Sequence, residues 1–199
     1  MGESHEKLQF EKPALSLAEL CGKLAEYQPD PQYAHDVYAI VCIEEGIRSA
    51  EMGNIGVGAC LVKNGEILYR DVTKHLYPYP RTDLHAEMVV LNALEDRICH
   101  DKNPRMRDYT LFSMQEPCVL CTMRVIFSQV GKTYWVYRDA HSHEGGETTN
   151  LDRQTDALKG LASRLEFGEA DCSPELKEMA RQTFLNSTAD AVETFLSRY

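Results

Sequence analysis

Two thiols three positions apart, Cys118 and Cys121 in "EPCVLC", and an imidazole and a carboxylate two apart, His85 and Glu87 in "HAE", hold the most chemistry in this sequence. A Cys-x-x-Cys alone supports three readings: a redox pair, a metal clip, or two small apolar residues. The H-x-E upstream favours the metal, because a redox dithiol has no use for it. One imidazole nitrogen and two thiolates make a three-ligand set for zinc, with a fourth position left open for water, as in catalytic rather than structural sites. A structural zinc would want a fourth protein ligand, for which Cys99, His100, His141 and His143 are the candidates. Glu87 lies two residues past His85, so on a helix it points in another direction. It need not bind the metal; it can border the open position and move protons. The plainer alternative is a carboxylate favoured by a helix N-terminus.

These residues need elements to bring them together. Between Glu87 and Pro117, 29 residues intervene, enough for a helix, a loop and a strand. "LHAEMVVLNALEDR" reads as a helix, "YTLFSM" as a strand, and "CVLCTMRVIFSQV" as a helix after Pro117, which costs no helical hydrogen bond there. Both motifs then fall at helix N-termini at one edge of a sheet, where open α/β sheets place ligands. The unpaired N–H groups there favour thiolates.

Upstream, "SLAELCGKLAEY" is a short helix, and Asp30 with Pro31 is placed to open another. In that second helix Val37, Ile40, Ile43, Ile47 and Ala50 recur every three or four residues and predict its buried face. Two β-prone runs flank Asn64-Gly65, a hairpin signal. "TKHLYPYPRTD" is an irregular loop in which Tyr77 or Tyr79 could stack on a base, although loop tyrosines often only pack. Downstream come strand "KTYWVYRD", polar loop "AHSHEGGETTN", helix "LDRQTDALKGLA" and strand "RLEFGEA". The last helix opens at Ser173-Pro174, anchored by Leu176, Met179, Phe184, Val192 and Phe195, with a break expected near Asn186-Ser187-Thr188. Helices alternating with strands after a hairpin predict an α/β sheet covered on both faces, antiparallel at the hairpin and parallel elsewhere.

A chain of 199 residues is expected to form one domain, 1–199, with residues 1–30 as an extension and 31–199 as the catalytic core. No apolar run approaches a membrane span, and the polar N-terminus lacks the centre of a signal peptide. Seven scattered cysteines fit a reducing compartment, so a cytoplasmic location is expected, with Cys21, Cys42, Cys60 and Cys172 as small core residues. The net charge of −10 argues against extensive nucleic-acid binding.

With "HAEM" and "EPCVLC" the sequence resembles the zinc-dependent cytidine/deoxycytidylate deaminase superfamily, whose signature is H-x-E…P-C-x-x-C. It is most similar to the branch of tRNA adenosine, guanine and cytosine deaminases, over roughly residues 33–186. The resemblance implies a three-layer α/β/α fold with a five-stranded mixed sheet, strands 4 and 5 parallel. It implies one Zn2+ on His85, Cys118 and Cys121, and Glu87 as proton shuttle. It also implies substrate contacts from Val57, Lys74, Ala86, Gln115 and Asp139. Lys74 stands where many relatives carry a substrate-binding Asn. The expected activity is hydrolytic deamination of a free nucleobase, nucleoside or related amino-heterocycle, by a homodimer. The alternatives are a tRNA adenosine deaminase subunit and a non-catalytic, zinc-holding partner of another deaminase.

Overall fold

Asn64 and Gly65 both adopt positive φ, 52° and 83°, and close the hairpin of β1 (Gly58–Lys63) and β2 (Glu66–Val72). The left-handed backbone at both residues matches the twist of the flanking strands. The computed structural model describes residues 11–102, 104–138 and 155–197. Asp139, His141, His143 and the polar loop around them lie outside the described residues, as do the first four residues of the helix expected at 151–162.

The remaining strands are β3 (Tyr109–Gln115), β4 (Lys132–Tyr137) and β5 (Glu166–Glu169), and the sheet order is β2-β1-β3-β4-β5. The β3–β4 and β4–β5 pairs are parallel, as expected. The β1–β3 pair is antiparallel, which corrects the expectation of parallel pairing outside the hairpin. The chain leaves β2 at the sheet edge, passes through α3 (Ala86–Ile98) and returns as β3 on the far side of β1. That crossover makes β3 parallel to β2 and leaves β1, reversed by the hairpin, between them.

Helices α1 (Leu17–Glu26), α2 (Asp36–Glu51) and α6 (Pro174–Leu196) pack on one another, while α3 contacts α4 (Val119–Ser128) and α4 contacts α5 (Asp156–Ala162). Both α2 and α3 pack on β1, whose residues Gly58 to Val62 are all buried, so this strand is covered on both faces. Contact with α2 is close enough to require glycine. A Cβ on Gly58 would run into the Cys42 carbonyl oxygen and the Gly46 nitrogen.

The same close packing rotates the buried face of α2 from the expected one. Ala39, Cys42, Ile43, Gly46, Ile47 and Ser49 face inward, whereas Val37 is 51 % exposed. Small residues win the contact because they let the helix approach the sheet. The start of α2 also differs. Asp30 accepts from the Gln32 N–H at 2.9 Å and forms a turn, and the helix begins at Asp36. The Asp36 carboxylate is buried. It accepts from the Tyr27 hydroxyl (2.6 Å), the Asp30 N–H (3.0 Å) and the Ser173 N–H (2.8 Å), tying α1, the turn and the start of α6 to α2. Asp36→Ala strands those donors and is expected to lower stability by about 3 kcal/mol, read by urea unfolding.

Residues 14–27 of the segment ahead of residue 31 are stitched into the fold. A capping box of Ser16 and Glu19 starts α1, which buries Leu20 and Leu24. Asn186 donates to the Leu15 carbonyl at 2.8 Å, and Gln182 accepts from the Ala14 N–H at 2.6 Å. Cys42, Cys60 and Cys172 are buried as expected, but Cys21 is exposed on the outer side of α1. No break interrupts α6. Asn186, Ser187 and Thr188 return hydrogen bonds to the carbonyls of Gln182, Phe184 and Phe184, and so continue the helix they were expected to end. Leu176, Met179 and Phe184 anchor it; Val192 is half-buried, and the Phe195 side chain lies outside the described residues. Among the described residues no helix is long and apolar enough to cross a membrane.

Candidate metal centre

His85 and Cys118 are each the residue at which an extended chain turns into a helix, α3 and α4 respectively. Their backbones are extended, with φ, ψ of −70°, 154° and −66°, 171°, and neither side chain caps its helix. Both are therefore free to turn toward a shared centre. Pro117 directly precedes the capping residue, so the helix follows it as expected; its carbonyl accepts from Thr122 Oγ1 at 3.2 Å. Cys121 lies in the first turn of α4. The two helices are locked side by side by Arg124, whose guanidinium forks onto Glu95 with two bonds of 2.7 Å. β3 ends at Gln115, so the cysteines follow the carboxyl end of a parallel strand, the usual ligand edge of such sheets.

The donor atoms of His85, Cys118 and Cys121 all lie within 4.8 Å of one another. Cys118 Sγ is 3.6 Å from His85 Nδ1. Tetrahedral zinc, with bonds of about 2.3 Å to sulfur and 2.0 Å to nitrogen, needs an S···N edge of about 3.5 Å. The spacing thus fits the ion, with Nδ1 as the nitrogen that faces it. Cys118 is held far below the usual thiol range, at about 4, by a hydrogen bond from Cys121 and by His85. Cys121 keeps its proton because it donates to Cys118 and is buried. Its hydrogen bond with Cys118 raises His85. A lowered thiol is the direction that favours metal binding, since the ligand is the thiolate.

Among the described residues no fourth ligand joins this group. Cys99 caps the far end of α3, and that 13-residue helix spans about 20 Å, so neither Cys99 nor His100 reaches the centre. This disposes of their part in a four-ligand structural site. His141 and His143 lie outside the described residues.

Glu87 is 4 % exposed and lies beneath the centre, where its Oε1 accepts from the Ser113 hydroxyl at 3.1 Å. Burial, then the Cys118 thiolate, raises its affinity for a proton. Val57 is buried, and its carbonyl accepts from the Thr73 N–H at 3.0 Å. Ala86 is buried with its N–H given to Thr73 Oγ1 at 3.2 Å. The Lys74 ammonium pairs with Asp71 at 2.8 Å, and Gln115 ends β3 opposite Tyr137. Sequence reasoning missed Ser113, Thr73, Asn54 and His75. Ser113 alternates inward with Leu111 on a strand that is buried almost throughout, so nothing in its pattern marks it. A histidine ten positions ahead of His85 in the loop that leads to "HAE", His75, was an available signal.

A His/Cys/Cys donor set able to hold zinc, beside a buried carboxyl on a five-stranded mixed sheet between helices, is the arrangement of a metal-dependent hydrolase of the cytidine deaminase-like fold. Comparison with known proteins is specific. The cytidine and deoxycytidylate deaminase zinc-binding region matches residues 33–137, and the chain belongs to that family. A tRNA-specific adenosine deaminase of Bacillus subtilis is 32 % identical over 154 residues, covering 74 % of this chain and 89 % of that protein. One from Streptococcus pyogenes serotype M18 is 28 % identical over 142 residues, covering 70 % and 86 %. Among solved structures, a guanine deaminase from Nitrosomonas europaea superposes with a TM-score of 0.53 at 17 % identity, covering 96 % of this chain and all of that one. A structure from a study of tRNA:A34 deaminases gives 0.55 at 17 %, covering 67 % and 97 %. The structural likenesses speak for the fold; the family match makes this chain a zinc-dependent deaminase enzyme.

Proposed function

We propose that the site replaces the exocyclic amino group of a free nucleobase or nucleoside by oxygen, with water as the nucleophile and ammonia as the leaving product. Zinc, when bound by His85, Cys118 and Cys121, supplies the Lewis acid that makes water nucleophilic near neutral pH. Glu87 accepts the proton of the attacking water. It returns one proton to the ring nitrogen beside the reacting carbon, and relays another to the departing amine, so protons balance over the cycle. The observation that carries this reading is the Glu87 carboxyl itself. It is buried against the donor set and accepts from Ser113, and among the described residues it forms no ion pair with Lys or Arg. Ser113→Ala removes the donor that fixes the carboxyl and is expected to lower kcat about tenfold with zinc content unchanged, read by ammonia release beside metal analysis.

A second reading is deamination of adenosine within tRNA. The two curated relatives described above support it, since both carry that name and this chain covers most of each. The net charge of −10 weighs against a broad RNA-binding surface. One experiment separates the two. Ammonia release is measured with cytosine, guanine, adenine, their nucleosides, amino-triazines and an adenosine-bearing tRNA anticodon hairpin, at low and moderate salt. Turnover of a base, nucleoside or triazine supports the first reading. Turnover of the hairpin alone, falling steeply with salt, replaces it with the second. Silence on every member contradicts both.

A further inference from the structure

The segment from Thr73 to Leu84 joins β2 to α3 and ends at the metal centre. Its base is closed twice, by the Lys74 N–H to the Leu84 carbonyl (2.8 Å) and by the Arg81 N–H to the His75 carbonyl (2.9 Å). His75, 2 % exposed, packs its ring 5.5 Å from the ring of His85, so this arch rests directly on a metal-binding residue. Asn54, in the turn after α2, reaches into the arch from below and is 1 % exposed. Its Oδ1 accepts from the N–H groups of Leu76 (2.8 Å) and Tyr77 (2.9 Å), and its Nδ2 donates to the Tyr77 carbonyl (3.4 Å). The Asn54 N–H is itself held by the Ser49 carbonyl at 3.0 Å, so the clamp is anchored in α2.

One buried amide thus engages both backbone polar groups of Tyr77, while the side chain of Tyr77 is 55 % exposed. Tyr79 is equally open to solvent, but no clamp like that of Asn54 holds its backbone among the described residues. A ring whose root is fixed and whose faces are open loses little freedom on binding, which is what stacking on a planar base rewards.

We infer that Tyr77 is a stacking surface for the heteroaromatic base brought to this centre, and that Asn54 is the positioning residue that holds it there. The inference rests on the deaminase reading of the site and extends it to how the base is gripped. The shared chemistry is a planar aminated base, whether free, as a nucleoside, or unpaired in an RNA loop.

The test uses the zinc-loaded full chain with nucleosides and the anticodon hairpin as separate arms, which tell the sources apart. Tyr77→Ser is expected to raise KM about tenfold for whichever form is turned over, and Tyr77→Phe, which keeps the ring, to rescue it. Asn54→Leu should raise KM alike, and Asn54→Asp, which keeps the double acceptor, should recover most of it. The double variant Asn54→Leu/Tyr77→Ser should be no worse than Tyr77→Ser alone, because Asn54 acts through that ring. Additive losses, or a KM indifferent to the ring, overturn the inference. If Asn54→Leu does not fold, the Tyr77 pair decides. Absence of turnover by the unaltered chain contradicts the deaminase reading instead. Binding of the same probes then tests the ring, and equal affinity for the unaltered chain and Tyr77→Ser overturns it.

Discussion

Replacing Glu87 by Gln lowers turnover about a thousandfold while zinc content and the unfolding midpoint stay at the unaltered level. The size follows from the role. A positioned carboxyl that both takes and returns protons contributes roughly 10²- to 10⁴-fold, and a carboxamide of the same shape does neither. Structure should survive because the amide oxygen can still accept from Ser113, which lies 3.1 Å from Oε1. Burial also makes the charged carboxylate the costly form at this position, so a neutral amide does not open the fold. The check is ammonia release at saturating substrate, with zinc and thermal unfolding measured on the same sample. Turnover within tenfold of the unaltered enzyme would remove Glu87 from proton transfer. Loss of zinc in step with activity would make it a structural support of the centre.

Cys118→Ser and Cys121→Ser are each expected to take zinc from one per chain toward zero and activity to background. With three protein ligands, losing one leaves two, and the affinity should fall by at least about a hundredfold. The two cysteines are not equivalent before metal binds. Cys118 is lowered by Cys121 and His85, whereas Cys121 is raised by its hydrogen bond to Cys118 and by burial. Metal uptake displaces the protons that this donor set shares, so chelator-stripped protein should regain activity on adding zinc with release of acid to the medium. Zinc retention at one per chain in either variant would mean that another residue had replaced the lost sulfur. Activity retained without zinc would refute a metal-dependent reaction outright.

The grouping of His85, Cys118 and Cys121 was legible in the sequence because the spacing of such donors is set by chemistry. His85, Cys118 and Cys121 converge because each stands at or near a helix N-terminus, and those N-termini are marked by "HAE" and by Pro117. The hairpin was legible for a similar local reason, since Asn64-Gly65 suits a turn that needs left-handed backbone at both residues. What escaped was decided by partners distant in the chain. The antiparallel β1–β3 pair depends on where a crossover lands, not on either strand's composition. The buried face of α2 turned toward its small residues because the sheet demanded a close approach at Gly58. Asp30 closed a turn rather than a helix because Asp36 was needed by Tyr27 and Ser173. Asn54 and Ser113 acquire their contacts with Tyr77 and Glu87 only in three dimensions, across 23 and 26 positions of chain.

X-ray absorption at the zinc edge of the purified full chain tests the metal centre most directly. Two sulfur neighbours and one imidazole, with the remaining position filled by no protein sulfur or second imidazole, is the result expected of His85, Cys118 and Cys121 around a site left open for chemistry. Three or four sulfurs, or a second imidazole, would mean a closed structural site and would contradict it.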